Sequence, residues 1–210
     1  ESEFQVFLTP LDDATHGTQM RRKVLLPFNA ALCQPVFDGA DRMYFTESSI
    51  KLNIGHRFGF LNTRTKEFQF LPQLPSPGFG IWFSGCWHCG VVYVVDETMQ
   101  LRGFDVANNK WTQCGISLPQ ARPDEGVRLL SNPHDTRHIY AMVQGSGLYM
   151  IDLVDASVEL FTMPPVRYDL LREALLIGCD AERFVLVVAL RNGMWYSYKS
   201  YTDTWCRLEH

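Results

Sequence analysis

The sequence has no run of 18 apolar residues, so no segment of it reads as a membrane-spanning helix. It also has no Gly-x-Ser-x-Gly elbow, no phosphate loop and no dinucleotide fingerprint, which removes the common signatures of hydrolases and nucleotide enzymes. Excess charge of one sign is small: 19 Lys+Arg against 23 Asp+Glu leaves −4, which argues against nucleic acid and membrane surfaces as main partners. The opening Glu1-Ser2-Glu3 is unlike a secretory leader. The six cysteines, at 33, 86, 89, 114, 179 and 206, do not cluster, and several lie inside apolar strand patterns. Reduced, mostly buried thiols in a cytoplasmic or nuclear protein are therefore expected, with disulfides as the alternative. Helical periodicity is nearly absent; only 168–175 could pass for a helical turn, and it reads as loop leading into a strand.

What is present is a repeated strand pattern. Val91–Val95 is an apolar run, Leu101–Val106 a second, and Trp111 opens a third that stops at Pro119. Ala107-Asn108-Asn109-Lys110 between the last two is turn chemistry, because Asn tolerates the left-handed conformation and bonds its own backbone. Tyr93 precedes Trp111 by 18 residues, as Tyr140 precedes Val158 and Val187 precedes Trp205. The later anchors lie 47 apart, and Phe68 lies 43 before Trp111. Around each anchor the pattern is the same: Leu61, Phe104, Ile151 and Tyr198 each precede a polar turn and then an apolar or aromatic residue seven positions on. A strand-built period of 43 to 47 is the mark of a propeller blade.

These residues resemble the kelch-type, galactose-oxidase-like β-propeller family. Tyr93 stands in the expected second strand, Phe104-Asp105 in the third, and Trp111 opens the fourth; Ile151-Asp152 and Trp205 fit in part. The family's double glycine after the second strand is replaced by Asp96-Glu97, Gln144-Gly145 and Leu190-Arg191. The resemblance implies an all-β propeller of four to five kelch-like blades, each a four-stranded antiparallel meander. Residues 1–27 would form a partial blade, a two-strand hairpin. Full blades would follow at 28–78, 79–125, 126–170 and 171–210, with inner strands at Leu32–Phe37, Gly80–Ser84, Val127–Leu130 and Ala174–Ile177. Either the ring is five-bladed with an irregular closing blade, or the chain is part of a larger propeller.

Few residues suggest chemistry. Cys86-Trp87-His88-Cys89 is metal-like, but no second Cys or His pair completes a zinc set, and the alternation suits a buried strand. Asn132-Pro133-His134-Asp135-Thr136-Arg137-His138 reads as a turn between first and second strands, held by Asn and Asp caps. The copper, Tyr and His set of galactose oxidase has no counterpart motif, so no cofactor, no metal and no catalytic residue is expected. The segments between blades and between second and third strands carry Glu47, Lys51, Arg57, Trp82, Asp96, Arg102, Arg122, Arg167, Tyr168 and Arg191. Arg and aromatic residues on one rim suit protein recognition. The expectation is a non-catalytic interaction module gripping a protein or peptide, as substrate receptor of a ubiquitin ligase or as a scaffold. The alternative is a propeller enzyme or carbohydrate-binding domain with a site at the central channel. A homodimer through an open blade edge is a further expectation.

Overall fold

The computed structural model describes residues 4–8, 22–28, 35–46, 57–73, 84–96, 98–119, 126–143, 146–163, 171–178, 180–190 and 192–208. Among them there is no helix. A two-stranded hairpin, β1 (Phe4–Leu8) with β2 (Arg22–Leu26), is followed by four four-stranded sheets. The first is β3 (Val36–Phe37), β4 (Arg42–Thr46), β5 (Phe58–Asn62) and β6 (Phe68–Leu71). The second is β7 (Gly85–His88), β8 (Val91–Val95), β9 (Gln100–Asp105) and β10 (Lys110–Ser117). The third is β11 (Val127–Ser131), β12 (His138–Val143), β13 (Gly147–Asp152) and β14 (Ser157–Thr162). The fourth is β15 (Leu171–Gly178), β16 (Phe184–Leu190), β17 (Trp195–Lys199) and β18 (Thr204–Leu208). Each sheet is an antiparallel meander with its strands in chain order, an arrangement compatible with the blades of a β-propeller.

The repeat seen in the sequence is a structural unit. The pairs seven residues apart are cross-strand partners in all four sheets: Leu61 with Phe68, Phe104 with Trp111, Ile151 with Val158, and Tyr198 with Trp205. Two residues before each anchor the backbone turns left-handed, at Lys66 (φ 67°), Asn109 (50°), Ala156 (52°) and Asp203 (48°). In three of these turns the residue opening the loop caps it. Asn62 Oδ1 accepts from the Arg64 and Thr65 amides, Asp105 Oδ1 from the Asn108 amide, and Asp152 Oδ1 from the Val154 and Asp155 amides. Such side-chain caps replace the bonds that the ladder cannot supply at a turn.

Successive sheets bury apolar faces against one another. Val24, Leu26 and Phe28 beside the hairpin pack with Phe45 and Leu61; Tyr44, Phe58 and Phe60 pack with Val92, Val94 and Phe104. Cys86, Val95, Leu101 and Ile116 pack with Val127, Leu129, Ile139, Ala141 and Val143. Leu130, Tyr140, Met142 and Leu148 pack with Leu176, Phe184, Leu186, Val188 and Tyr198. A strand such as β12 therefore sends Ile139, Ala141 and Val143 to one neighbour and Tyr140 and Met142 to the other, which explains its unbroken apolar run. The first strands of the four sheets lie next to one another in chain order. Ser84 Oγ accepts from the Leu129 amide (3.0 Å) and Ser131 Oγ donates to the Trp87 carbonyl (2.7 Å) across one such junction. The anchor tryptophans tie the outer strands in the same way. Trp111 Nε1 donates to the Pro72 carbonyl at 2.8 Å and Trp205 Nε1 to Thr162 Oγ1 at 3.3 Å, each reaching the preceding sheet.

The first inner strand is described only as Val36–Phe37 of the expected Leu32–Phe37, since residues 32–34 lie outside the described residues, and the second differs from expectation. The second sheet starts at Gly85–His88 rather than Gly80–Ser84, of which only Ser84 is among the described residues. Cys89 (φ 47°) and Gly90 (φ 83°) form a two-residue turn with both backbones left-handed, so the strand runs right up to it and Cys86 pairs with Tyr93. Residues 171–175 belong to β15, as a strand and not a helical turn.

Candidate functional site at the connecting segments

A four-stranded antiparallel meander has two unlike ends. At one end lie the turns joining first to second and third to fourth strands. At the other lie the turns joining second to third, together with the segments that enter and leave the sheet.

The first of these ends is closed by local bonds in every sheet. The amides of Thr63, Val106, Leu153 and Ser200 donate to the carbonyls of Asp41, Gly90, Arg137 and Phe184, at 2.7, 3.2, 3.0 and 3.1 Å, joining the two turns to each other. Asp38, Asp135 and Asp180 cap the first turns of their sheets: Asp38 Oδ1 accepts from the amides of Ala40, Asp41 and Arg42, and Asp135 Oδ1 from those of Arg137 and His138. Asp180 Oδ1 accepts from the amides of Glu182 and Arg183. Asn132, fully buried, donates through Nδ2 to the Asp180 carbonyl of the next sheet at 2.6 Å while its Oδ1 accepts from the His134 amide. The Asn132–His138 segment is thus a turn and an inter-sheet tie. Around it, Arg137 Nε donates to Asp152 Oδ2 (2.7 Å), its guanidinium also pairs with Asp155, and His138 Nδ1 lies 3.0 Å from Asp135 Oδ2. The Arg137 guanidinium holds the Asp152 carboxyl well below the usual carboxylate range.

The Cys86–Cys89 segment divides between strand and turn. Cys86 and His88 are buried on one face of β7, where burial pushes the Cys86 thiol up; Cys89 is exposed in the turn. Burial lowers the pKa of His88, with the Thr136 backbone and Asp135 pulling it back up, and its Nε2 has no hydrogen-bond partner. An open groove of about 610 Å³ also lies at this capped end of the first sheet, lined by residues that include Arg42, Phe60, Asn62, Glu67 and Gln69, with the Arg42 guanidinium 4.8 Å above the Phe60 ring.

Of the ten residues singled out for recognition, three are described, and they lie at the second end. Arg57 sits at the start of β5, where Nη1 donates to the Pro27 carbonyl (3.4 Å) and the guanidinium lies 5.6 Å from the Phe28 ring centre. Asp96 and Arg102 bracket the β8–β9 turn and bond each other, Arg102 Nε donating to Asp96 Oδ2 at 2.8 Å. Asp96 Oδ1 accepts from the Thr98 and Gln100 amides and from Thr98 Oγ1. Burial alone would raise the Asp96 carboxyl, but these hydrogen bonds, from Thr98, Arg102 and Gln100, outweigh it and hold it below the usual range. Glu47, Lys51, Trp82, Arg122, Arg167, Tyr168 and Arg191 lie outside the described residues.

No family model matches this sequence, and neither does any curated protein.

The contrast between the two ends therefore rests on the chain itself. Sequence reasoning read the Asn132–His138 turn and its caps, but it offered Asp96 and Arg102 as recognition residues and missed that Asp96 is buried and that the two bind each other. The signal was available: an Asp before Thr and Gln, with Arg six residues on, is a carboxylate placed to cap a turn and meet a guanidinium from the following strand.

Proposed function

We propose that this chain is a kelch-like β-propeller of four to five blades that acts as a non-catalytic interaction module, with a protein or peptide as its partner in the cytoplasm or nucleus. The partner is held on the face formed by the segments between sheets and between second and third strands. A role as substrate receptor of a ubiquitin ligase, or as a scaffold, follows from the family resemblance. The observation that carries the reading is that one end of every sheet holds only short turns, whereas the connections between sheets enter and leave at the other. One end is closed by the same backbone bond in all four sheets and by Asx caps. The other is where the sequence places long connections with Arg122, Arg167, Tyr168 and Arg191. Rigid sheets presenting variable segments at one end are a common basis for recognition.

The test is affinity capture with the intact chain against two variants. Arg122→Ala/Arg167→Ala removes charge from the connecting segments, and Arg183→Ala removes an exposed arginine from the capped end. The captured proteins should be lost with the first variant and kept with the second. Identical captures with all three proteins would overturn the assignment of the binding face.

A further inference from the structure

The repeat sets two polar residues at one and the same position. In the second sheet the row through Trp111 runs Phe104, Val92 and Trp87; in the third, the row through Val158 runs Ile151, Ile139 and Ser131. His88 and Asn132 come next in the chain, so they are equivalent, each at the end of its sheet's first strand. Asn132 uses that position as a tie, donating through Nδ2 to the Asp180 carbonyl in the first turn of sheet four. His88 shares a face of β7 with Cys86, which packs against sheet three. It reaches the corresponding turn there: its ring meets the Thr136 backbone, with Asp135 and His138 close by.

The two ties differ in chemistry. The Asn132 amide does not titrate, whereas the His88 imidazole does, and it is 3% exposed with Nε2 lacking a hydrogen-bond partner. A proton on that nitrogen would be a buried donor with no acceptor, and the cation would be cut off from water. From sheet three, Asp135 favours the charge and His138 opposes it. Asp135 is already engaged, however: its Oδ1 accepts from the Arg137 and His138 amides, and its Oδ2 lies 3.0 Å from His138 Nδ1. From sheet two come Tyr93, its ring centre 6.4 Å away, and Cys86; burial pushes both up, so neither supplies a counter-charge. We propose that the seam between sheets two and three is an acid-sensitive joint: neutral His88 holds the Asn132–His138 turn against sheet two, and protonated His88 releases it. Release is local, because the apolar part of the seam, Leu101, Leu129, Ile139 and Ala141, carries no titrating group, while Pro133, His134, Thr136 and Arg137 of the turn are exposed. Burial lowers the pKa of His88, so the closed joint is favoured in full above the ordinary value near 6.5 and the preference is lost as pH falls below it. The joint lies at the capped end, away from the connecting segments, so its test is independent of the partner-binding reading.

Hydrogen exchange of the intact chain at pH 7.5 and 5.5, corrected for the intrinsic pH dependence of amide exchange, tests the joint. The Arg137 and His138 amides report on it. The Glu182 and Arg183 amides, capped in the same way by Asp180, are the control, since Asn132 and not a histidine ties that turn. Opening at Arg137 and His138 should rise several-fold, up to about tenfold, between the two pH values, and opening at the control by less than about twofold. His88→Asn, which copies the residue at the equivalent position, should bring the first turn down to the control, whereas His138→Gln should keep most of the rise. If His88→Asn does not fold, as judged by circular dichroism, His88→Gln carries the same readout. An equal change at both turns overturns the proposal, as does no change at either, a rise that survives the His88 variants, or a rise lost with His138→Gln.

Discussion

Asp96 distinguishes a turn-holding residue from a partner-binding one, and its energetics follow from its contacts. The carboxylate is wholly shielded from solvent and takes four hydrogen bonds, two from backbone amides, one from Thr98 Oγ1 and one from the Arg102 guanidinium, whose side chain is only 14% exposed. Asp96→Ala strips the amides of Thr98 and Gln100 of their acceptor and leaves Arg102 without its counter-charge. Breaking a buried pair from one side costs about 3–5 kcal/mol; because Arg102 can reach some water, the lower figure, about 3 kcal/mol, is expected here. Asp96→Asn keeps one oxygen for the amides but loses the charge beside Arg102, for a cost of about 1–2 kcal/mol. Urea unfolding of Asp96→Asn, Arg102→Met and the double variant should give a coupling of about 1 kcal/mol or more, because both single changes break the same contact. The pH dependence has a definite sign. The folded carboxyl is depressed, so its stabilisation is present above the unfolded pKa near 3.8 and is lost as pH falls through the folded value. An Asp96→Ala cost below about 0.5 kcal/mol, the range of a free surface residue, would refute the reasoning and return Asp96 to the recognition face.

Three further outcomes follow from the geometry. At Gly178 a Cβ would stand 1.9 Å from Asn132 Oδ1, so Gly178→Ala should displace Asn132, break its bond to Asp180 and cost roughly 2–4 kcal/mol in thermal or urea unfolding; a near-neutral result would mean the tie is absent. Ala156 is held at φ 52° in an exposed turn, so Ala156→Gly should stabilise by about 0.5–1 kcal/mol, and a loss would show that the left-handed turn is wrong. Buried His88 is neutral in the fold with its pKa depressed by desolvation, so stability is full above its unfolded pKa near 6.5 and falls as pH drops below it. The melting temperature should fall less between pH 7.5 and 5.5 in His88→Gln than in the parent chain, and equal slopes would remove His88 from the account.

Local chemistry was legible because each turn signal acts within a few residues. The seven-residue spacing from Phe104 to Trp111 is one hairpin, and its register follows from the strand–turn–strand pattern alone. The Asn and Asp caps of the 132–138 turn were readable for the same reason. The start of the second sheet was not. Its signal is Cys89-Gly90, and only the observed backbone shows that a cysteine takes a left-handed conformation usually left to Asn or Gly.

By itself, then, the sequence determined the meander, its period and its turns, since strand alternation and loop capping are decided by neighbours along the chain. Tertiary structure decided what those residues face. Asp96 and Arg102 meet, Trp111 reaches across to Pro72, and Leu175 and Ile177 lie open while their equivalents in sheet three differ in burial. Those outcomes depend on which sheet lies against which, and a repeated sequence pattern specifies the same apolar face whether or not anything covers it.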